Sequence, residues 1–212
     1  MADFAQHGVI GTLHNLRHRT TEEVEEELVE FSKETPMSLV LPCLYSELEG
    51  PALDKIIDKL QHVPYLEEII IGLDAASEEQ FEHAKKFFER LPQRHVILWN
   101  DGPRLLDIDR RLTEKKLSPL ERGKVRNVWY CMGYFLASGK GRAVALHDCD
   151  ILTYDRNIPA RLFYPIVHPL MDYVFCKGYY YRAAHGTLNG RVFRLLVTPL
   201  IQALQNTIGH HE

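Results

Sequence analysis

A short apolar run that ends in two carboxylates constrains the fold of this chain more than any other feature. The run Arg142–Leu146 continues as His147-Asp148-Cys149-Asp150. Its small and apolar residues predict a short strand that is buried on both faces, as in a parallel sheet. In extended backbone alternate side chains share a face, so Asp148 and Asp150 are predicted to point into one crevice. That crevice would lie at the carboxyl end of the strand, where open α/β sheets bind ligands.

Two carboxylates held close together repel each other and favour a counter-cation. A hard divalent ion such as Mg²⁺ or Mn²⁺ satisfies both charges and can also bridge phosphate oxygens, which makes Asp148 and Asp150 candidate metal ligands. The structural alternative is an Asp that caps a following helix while its neighbour lies in solvent. Because Asp-x-Asp is short and common, this stretch alone leaves both interpretations open.

Three further apolar segments, each followed by polar residues, predict the rest of a parallel sheet. They are residues 38–41, 65–72 and 95–99, and Pro42 is predicted to end the first. Amphipathic helical patterns separate them, so strand and helix alternate with the period of βαβ units. Further along, Asp172–Arg182 has the aromatic and β-branched content of a strand, and His185–Gly190 is predicted to be a loop.

The segment Pro42–Glu47 follows the first strand and leads into a helix. A strand, a sharp turn and a helix N-terminus predict a nucleotide cradle, because free N–H groups there point at the ligand. The segment is not a Gly-rich phosphate loop, which excludes the Walker and dinucleotide fingerprints.

Two pairs of a glycine followed by a basic residue are candidate anion-binding sites. Gly123-Lys124 lies near the start of the predicted helix that precedes the Asp148 strand in the chain and must pack beside it. Lys124 could therefore reach a diphosphate. Gly190-Arg191 combines a flexible backbone with a guanidinium that can bind an acid with two hydrogen bonds. The alternative for Gly190-Arg191, a surface loop with an exposed Arg, stays open.

Composition limits the class of protein and the compartment. A length of 212 residues suits one α/β domain, with or without an extension. The net charge of −4 gives no reason to expect that the protein binds nucleic acid. The four cysteines lie far apart without a CxxC pair, which indicates buried free thiols in a reducing compartment. The most apolar stretch, Val128–Ala137, is too short to cross a bilayer, so a cytoplasmic protein is predicted.

On these residues the chain resembles the GT-A nucleotide-sugar glycosyltransferases, and within them it is similar to the glucosyl-3-phosphoglycerate synthases. The resemblance implies a GT-A fold, Rossmann-like, with a mixed, mostly parallel sheet flanked by helices. The segments that carry it are Leu41–Glu47, Gly123-Lys124, Asp148-Cys149-Asp150 and Gly190-Arg191-Val192. The first three are widespread among GT-A enzymes, and the fourth is the specific one.

The resemblance implies roles for individual residues. Asp148 and Asp150 would bind Mg²⁺ or Mn²⁺ and act in catalysis together with Lys124. Gly190 and Arg191 would bind the acceptor. The nucleotide would contact a larger set of residues: Pro42, Cys43, Leu44, Glu47, Leu73, Asp74, Lys124 and Asp148.

The implied activity is retaining transfer of a hexose from a nucleotide diphosphate sugar, with UDP-glucose favoured as donor and 3-phosphoglycerate as the small acidic acceptor. A generic GT-A transferase acting on a polysaccharide or lipid acceptor is one alternative. A non-catalytic nucleotide-sugar-binding module is another, and a homodimer is left open.

The chain also departs from the family. Gly72-Leu73-Asp74 replaces an acidic, serine- and glycine-rich turn, and Phe193 stands where the family favours Thr. Family members continue further, and His210 and His211 come too early to supply their additional metal-site histidine. The predicted organisation is an N-terminal extension with an acidic amphipathic helix (1–37), a nucleotide-sugar-binding core (38–182) and the start of an acceptor-binding region, truncated at its end (183–212).

Overall fold

The computed structural model describes residues 13, 19–119, 121–171, 173–178, 182–184, 187–189, 196 and 198–209. Residues Arg19–Cys176 form one compact unit, and the described residues from Lys177 onward belong to a second. The strands of the first unit are β1 (Met37–Leu44), β2 (Leu66–Asp74), β3 (His95–Trp99) and β4 (Ala143–Leu146). Its helices are α1 (Thr21–Ser32), a 3₁₀ helix (Tyr45–Glu49), α2 (Pro51–Leu60), α3 (Glu78–Phe88), α4 (Pro103–Glu114), α5 (Lys124–Ser138) and α6 (Asn157–Val167).

The four strands of the first unit form one sheet in the order β3-β2-β1-β4, and all of them are parallel. This arrangement confirms the predicted α/β class with helices on both faces of the sheet. On the face that carries Leu39 and Ile69, the side chains pack with α1, α2, α3 and α6. On the opposite face Val40 and Ile70 pack with Cys131 and Phe135 of α5.

Helix starts follow the signals in the sequence. Thr20 caps α1, where its side chain accepts a hydrogen bond from the backbone N–H of Glu23 and the Glu23 carboxylate reaches back to the Thr20 N–H. Ser77 and Gln80 form the same reciprocal pair at α3. Each pair satisfies two backbone donors that a helix end otherwise leaves without partners.

The prediction that Pro42 ends the first strand is wrong, because β1 continues through Leu44. The reason lies in the neighbouring strands. β4 pairs with β1 only from Met37 to Val40, whereas β2 pairs with β1 along its whole length. At Pro42 the strand therefore has a partner on one side only, and a residue without an N–H is tolerated there.

The described residues from 173 onward differ from the prediction for the end of the chain. Within Asp172–Arg182, residues 173–178 form no strand. Instead, β5 (Arg182–Ala184) pairs antiparallel with β6 (Thr187–Asn189), all of which was expected to be loop. Helix α7 (Thr198–Gly209) then follows. Strand-like composition describes a side chain's fit to a pleated surface, but a strand forms only where a partner strand is present.

Helix α5 packs closely against β2 at Gly72. The Asn127 side chain donates a hydrogen bond from Nδ2 to the Gly72 carbonyl oxygen at 2.8 Å. A Cβ atom at Gly72 would lie 1.8 Å from Asn127 Oδ1 and 2.6 Å from Cys131 Sγ. Any side chain at this position would therefore force the Asn127 and Cys131 side chains to shift.

We expect Gly72→Ala to lower the free energy of unfolding by about 1–3 kcal/mol, the usual cost of overpacking a core. Chemical denaturation monitored by circular dichroism measures this change. Gly133→Ala is the control, because Gly133 is a residue of α5 itself and a Cβ atom there would meet no neighbouring atom within 4 Å. Helix propensity makes Gly133→Ala neutral or stabilising. Equal stability of Gly72→Ala and the wild type would contradict the close packing.

Candidate functional site

The ends of β1 and β2 lie side by side at the carboxyl edge of the sheet. In the parallel register Cys43 pairs with Leu73 and Leu44 pairs with Asp74. The predicted nucleotide-binding residues of the first two strands are therefore immediate neighbours. Leu44 is exposed at this edge, whereas Leu73 is fully buried and Asp74 nearly so. Of these four side chains, that of Leu44 is the one most open to a ligand.

Glu47 is fixed against the end of β1 by a hydrogen bond within the turn. The backbone N–H of Leu44 donates to Glu47 Oε2 at 2.7 Å. The 3₁₀ helix that starts at Tyr45 makes this contact geometrically simple, because its tight winding brings residues three apart together. The half-buried Glu47 carboxylate thus lies beside the strand end rather than out in solvent.

One residue, His147, separates the end of β4 from the Asp-x-Asp segment. The His147 N–H donates to the Val40 carbonyl oxygen at 3.0 Å, which extends the pairing of β4 with β1 by one step. The chain then turns at Cys149 and Asp150. Asp148 is half-buried, Cys149 is buried and Asp150 is exposed. The argument from alternating strand side chains is therefore wrong in its geometry, because a turn rather than a strand relates the two carboxylates.

Lys124 interacts with the carboxylates of both the Asp-x-Asp segment and the turn that contains Glu47. Its ammonium group forms a salt bridge with Asp148 Oδ1. Burial lowers the pKa of Lys124, but the hydrogen bond to Asp148 and the charges of Asp148, Asp150 and Glu47 outweigh burial and raise the pKa above its ordinary value. Three carboxylates from two segments thus act on one cation at the carboxyl edge of the sheet.

The position of Lys124 depends on the glycine that precedes it. Gly123 is the N-cap of α5 and has φ +119°, a backbone conformation that only glycine adopts without strain. This turn allows α5 to begin with Lys124, whose side chain then reaches Asp148. Gly123-Lys124 therefore forms a helix start beside the Asp-x-Asp segment, as the sequence predicts.

Two residues that support this segment were not recognised from the sequence. His147 is buried, and its Nδ1 lies 2.8 Å from the hydroxyl oxygen of Tyr154. Burial lowers the pKa of His147 to about 4, although the charge of Asp148 raises it, so the imidazole is neutral at pH 7. A buried neutral imidazole bonded to a tyrosine fixes the backbone from which Asp148 projects.

The arrangement suits a hard divalent cation. Asp148 and Asp150 offer carboxylate oxygens, the ligand type that Mg²⁺ and Mn²⁺ prefer, and both side chains can be reached by solvent. The salt bridge from Lys124 shows that Asp148 already attracts a positive charge at this place. The residues that the sequence predicts as metal ligands therefore fit the ion, although their roles stay predictions.

A thiol cluster lies beside the same carboxylates. One sulfur or oxygen atom from each of Cys43, Glu47 and Cys149 lies within 4.8 Å of the other two. A hydrogen bond with Cys43, together with burial, raises the pKa of Cys149 well above its ordinary value. The sequence contained a signal for this cluster, since a cysteine follows both Pro42 and Asp148, but only the adjacency of β1 and β4 brings the two thiols together.

The proposed acceptor-binding residues lie outside the described residues. Gly190 and Arg191 are therefore not located by the structure. Their assignment still depends on the sequence alone.

Comparison with solved structures defines the class of the fold. A crystal structure of glucosyl-3-phosphoglycerate synthase from Mycobacterium tuberculosis in complex with Mn²⁺, UDP-glucose and phosphoglyceric acid matches with TM-score 0.55 and 21% identity, over 93% of this chain and 58% of that chain. A crystal structure of the same enzyme with Mn²⁺, UDP and glucosyl-3-phosphoglycerate matches with TM-score 0.52, also at 21% identity and over the same shares of the two chains. The chain thus has a GT-A fold.

Sequence comparison gives a closer relationship. No protein-family model matches the chain. The glucosyl-3-phosphoglycerate synthase of Persephonella marina is 49% identical over 209 residues, which are 99% of this chain and 52% of that protein. The enzyme of the same name from Methanococcoides burtonii is 41% identical over 81% of this chain and 43% of that protein. The chain is a homologue of the glucosyl-3-phosphoglycerate synthases and spans about half the length of these curated relatives.

No described helix has both the length and the apolar character that crossing a membrane requires.

Proposed function

We propose that this chain forms the nucleotide-sugar-binding part of a retaining glucosyltransferase that transfers glucose from UDP-glucose to 3-phosphoglycerate. The observation that carries the proposal is the convergence of Glu47, Asp148 and Asp150 on Lys124 at the carboxyl edge of a parallel sheet. That edge is where open α/β sheets bind nucleotides. Homology to enzymes named for this reaction, at 49% and 41% identity, supports the same donor and acceptor.

The donor site follows from the order of these residues along the edge. The segment Pro42–Glu47, which spans the end of β1 and the start of the 3₁₀ helix, would hold the base and ribose, with Leu73 and Asp74 on the neighbouring strand beside it. Asp148 and Asp150 would hold Mg²⁺ or Mn²⁺. The bound ion neutralises charge on the departing diphosphate. Lys124 would release Asp148 when the ion binds and donate to the diphosphate instead.

The reaction itself exchanges one bond to the anomeric carbon for another. The bond to the diphosphate oxygen breaks, a bond to the acceptor hydroxyl oxygen forms, and the departing diphosphate takes the hydroxyl proton. We assign no side chain as a nucleophile on the sugar. Attack by the acceptor on the face that the diphosphate leaves would retain the configuration, and orientation of the two substrates would supply much of the rate.

The acceptor assignment depends on Gly190 and Arg191. A guanidinium offers paired donors that fit a carboxylate or phosphate, whereas an ammonium is a point charge. Arg191→Lys is therefore expected to lower kcat/KM for 3-phosphoglycerate, and Arg191→Ala to cost on the order of 1.5–3 kcal/mol of transition-state binding. Steady-state kinetics with varied acceptor measures both effects.

Two controls make this prediction specific. UDP affinity of the Arg191 variants, measured by calorimetry, should stay close to the wild-type value. Arg161→Lys, on helix α6, is expected to leave the acceptor kinetics unchanged. Unaltered kcat/KM in Arg191→Ala would contradict the acceptor assignment and favour a generic GT-A transferase that acts on a polysaccharide or lipid.

The experiment that tests the function uses a panel of nucleotide sugars, with and without 3-phosphoglycerate and Mg²⁺, followed by mass detection of the product. The expected product is a glucosyl-phosphoglycerate that forms only when UDP-glucose, acceptor and metal are all present. Nucleotide-sugar binding without any product from a chain as long as the relatives would favour the non-catalytic binding module.

Buried free thiols at Cys43, Cys131 and Cys149 fit the reducing cytoplasm that we propose as the location.

A further inference from the structure

Cys43, Glu47 and Cys149 form a compact donor set, and the glycosyl-transfer proposal gives its two sulfur atoms no chemical role. Their donor atoms all lie within 4.8 Å of one another. Each thiol is only 1% exposed, whereas Glu47 is half-buried. Two sulfur donors and one carboxylate therefore meet in a sheltered position, and the carboxylate is the most exposed of the three groups.

Three different segments hold these donors in place. Cys43 belongs to β1, where its pairing with Leu73 of β2 fixes the backbone. Glu47 lies in the 3₁₀ helix and is oriented by the N–H of Leu44. Cys149 lies in the turn after β4. Because a carboxylate can accept several hydrogen bonds or ligand contacts, the bond to Leu44 leaves Glu47 able to coordinate an ion.

The chemistry of the set differs from that of the Asp148–Asp150 site. Thiolates select borderline or soft cations such as Zn²⁺, Co²⁺ and Cd²⁺, whereas carboxylates alone suit Mg²⁺ and Mn²⁺. Donor atoms within 4.8 Å of one another can meet the Zn–S distance of about 2.3 Å and the Zn–O distance of about 2.0–2.2 Å without a large rearrangement. Three protein ligands also leave one tetrahedral position for water.

We propose that Cys43, Glu47 and Cys149 bind a thiophilic divalent cation, with Zn²⁺ as the natural ion, at a site distinct from the one at Asp148 and Asp150. Binding converts two thiols to thiolates: the ion gains two sulfur ligands and one carboxylate ligand, and two protons leave to solvent. An ion here would tie the turn after β1 to the turn after β4. It would thereby stabilise the segment that we assign to nucleotide binding and the segment that we assign to binding of the hard metal.

The test is a Co²⁺ titration of the full chain after treatment with chelator, because thiolate ligation gives cobalt an intense charge-transfer band in the near ultraviolet. One equivalent of Co²⁺ is expected to produce the band in the wild type, and Zn²⁺ is expected to remove it by displacement. Excess Mg²⁺ is not expected to remove the band. Because even changes to groups that only support a metal ligand cost about 10–100-fold in affinity, Cys43→Ala or Cys149→Ala should weaken binding by more than about 100-fold.

Matched variants locate the ion. Cys176→Ala removes the partly buried thiol outside the set and is expected to keep the full band. Asp150→Ala removes a predicted hard-metal ligand and is also expected to keep it, which separates the two sites. Circular dichroism establishes that each variant is folded, and Zn²⁺ should raise the melting temperature of the wild type but not of Cys43→Ala or Cys149→Ala.

Absence of the band in the wild type would overturn the proposal. So would a band that persists in both Cys43→Ala and Cys149→Ala, because the thiolates would then come from other cysteines. Loss of the band in Asp150→Ala would show a single shared metal site and would overturn the claim of a distinct one. None of these results depends on glycosyl transfer, so they are separable from failure of the proposed function.

Discussion

Mutation of Asp150 to Ala is expected to remove most of the metal-dependent affinity for uridine diphosphate. Asp150 is exposed at the turn after β4, and its charge acts on Lys124 together with that of Asp148. With one carboxylate left, a divalent ion loses a charged ligand and bridges the diphosphate less well. Since interactions with charged groups are worth about 1.5–3 kcal/mol, affinity should fall by roughly 10–100-fold.

Calorimetric titration with uridine diphosphate, in Mg²⁺ and in chelator, measures this effect. The wild type should bind more tightly in Mg²⁺, and Asp150→Ala should bind weakly in both. Asp58→Ala is the matched control, because Asp58 is an exposed carboxylate of α2 whose salt bridge is with Arg90. Equal affinity of the wild type in Mg²⁺ and in chelator would refute the metal assignment.

Lys124→Met is expected to shift the affinities for metal and for nucleotide in opposite directions. Lys124 forms a salt bridge with Asp148, so a metal ion must displace it from that carboxylate. Removing the ammonium group removes this competition, and Mn²⁺ alone should bind about two- to fivefold more tightly, as expected for loss of an exposed ion pair. Uridine diphosphate should bind roughly 10–100-fold more weakly, because its diphosphate loses a charged donor.

Electron paramagnetic resonance of free Mn²⁺ measures the first affinity, and calorimetry in saturating Mn²⁺ measures the second. Lys59→Met is the control, because Lys59 is equally part of an exposed salt bridge but its partner is Asp155. A variant in which both affinities fall, or in which neither changes, would contradict the exchange of partners. An opposite shift would show that Lys124 competes with the metal for Asp148 and then serves the nucleotide.

Local sequence patterns determined most of the secondary structure in the residues 19–176. Apolar periodicity predicted β3 and the start of β2 within one residue, because side chains that must be buried repeat with the geometry of the backbone. Thr20 and Ser77 lie at helix starts because their side chains satisfy backbone donors within a few residues, which is a local effect. Carboxylates after an apolar run also indicated the edge of the sheet at which a ligand would bind.

Local patterns failed where a partner from elsewhere in the chain decides the structure. Residues 173–178 have strand-like composition but form no strand, whereas Thr187–Asn189 form one by pairing with β5. Pro42 continues β1 because β4 is too short to pair with that part of it. The close contact of Asn127 with Gly72 was equally invisible, because 55 residues separate them in sequence.

The sequence by itself determined the kinds of groups at the candidate site: paired carboxylates, a glycine-lysine helix start and a polar turn after an apolar strand. Only the tertiary structure decided which of them meet. The order β3-β2-β1-β4 makes β1 and β4 neighbours, and this adjacency brings Cys43 and Glu47 to Cys149 and sets Lys124 against Asp148. The physical reason is that burial is encoded residue by residue along the chain, whereas strand order is fixed by contacts between segments far apart in sequence.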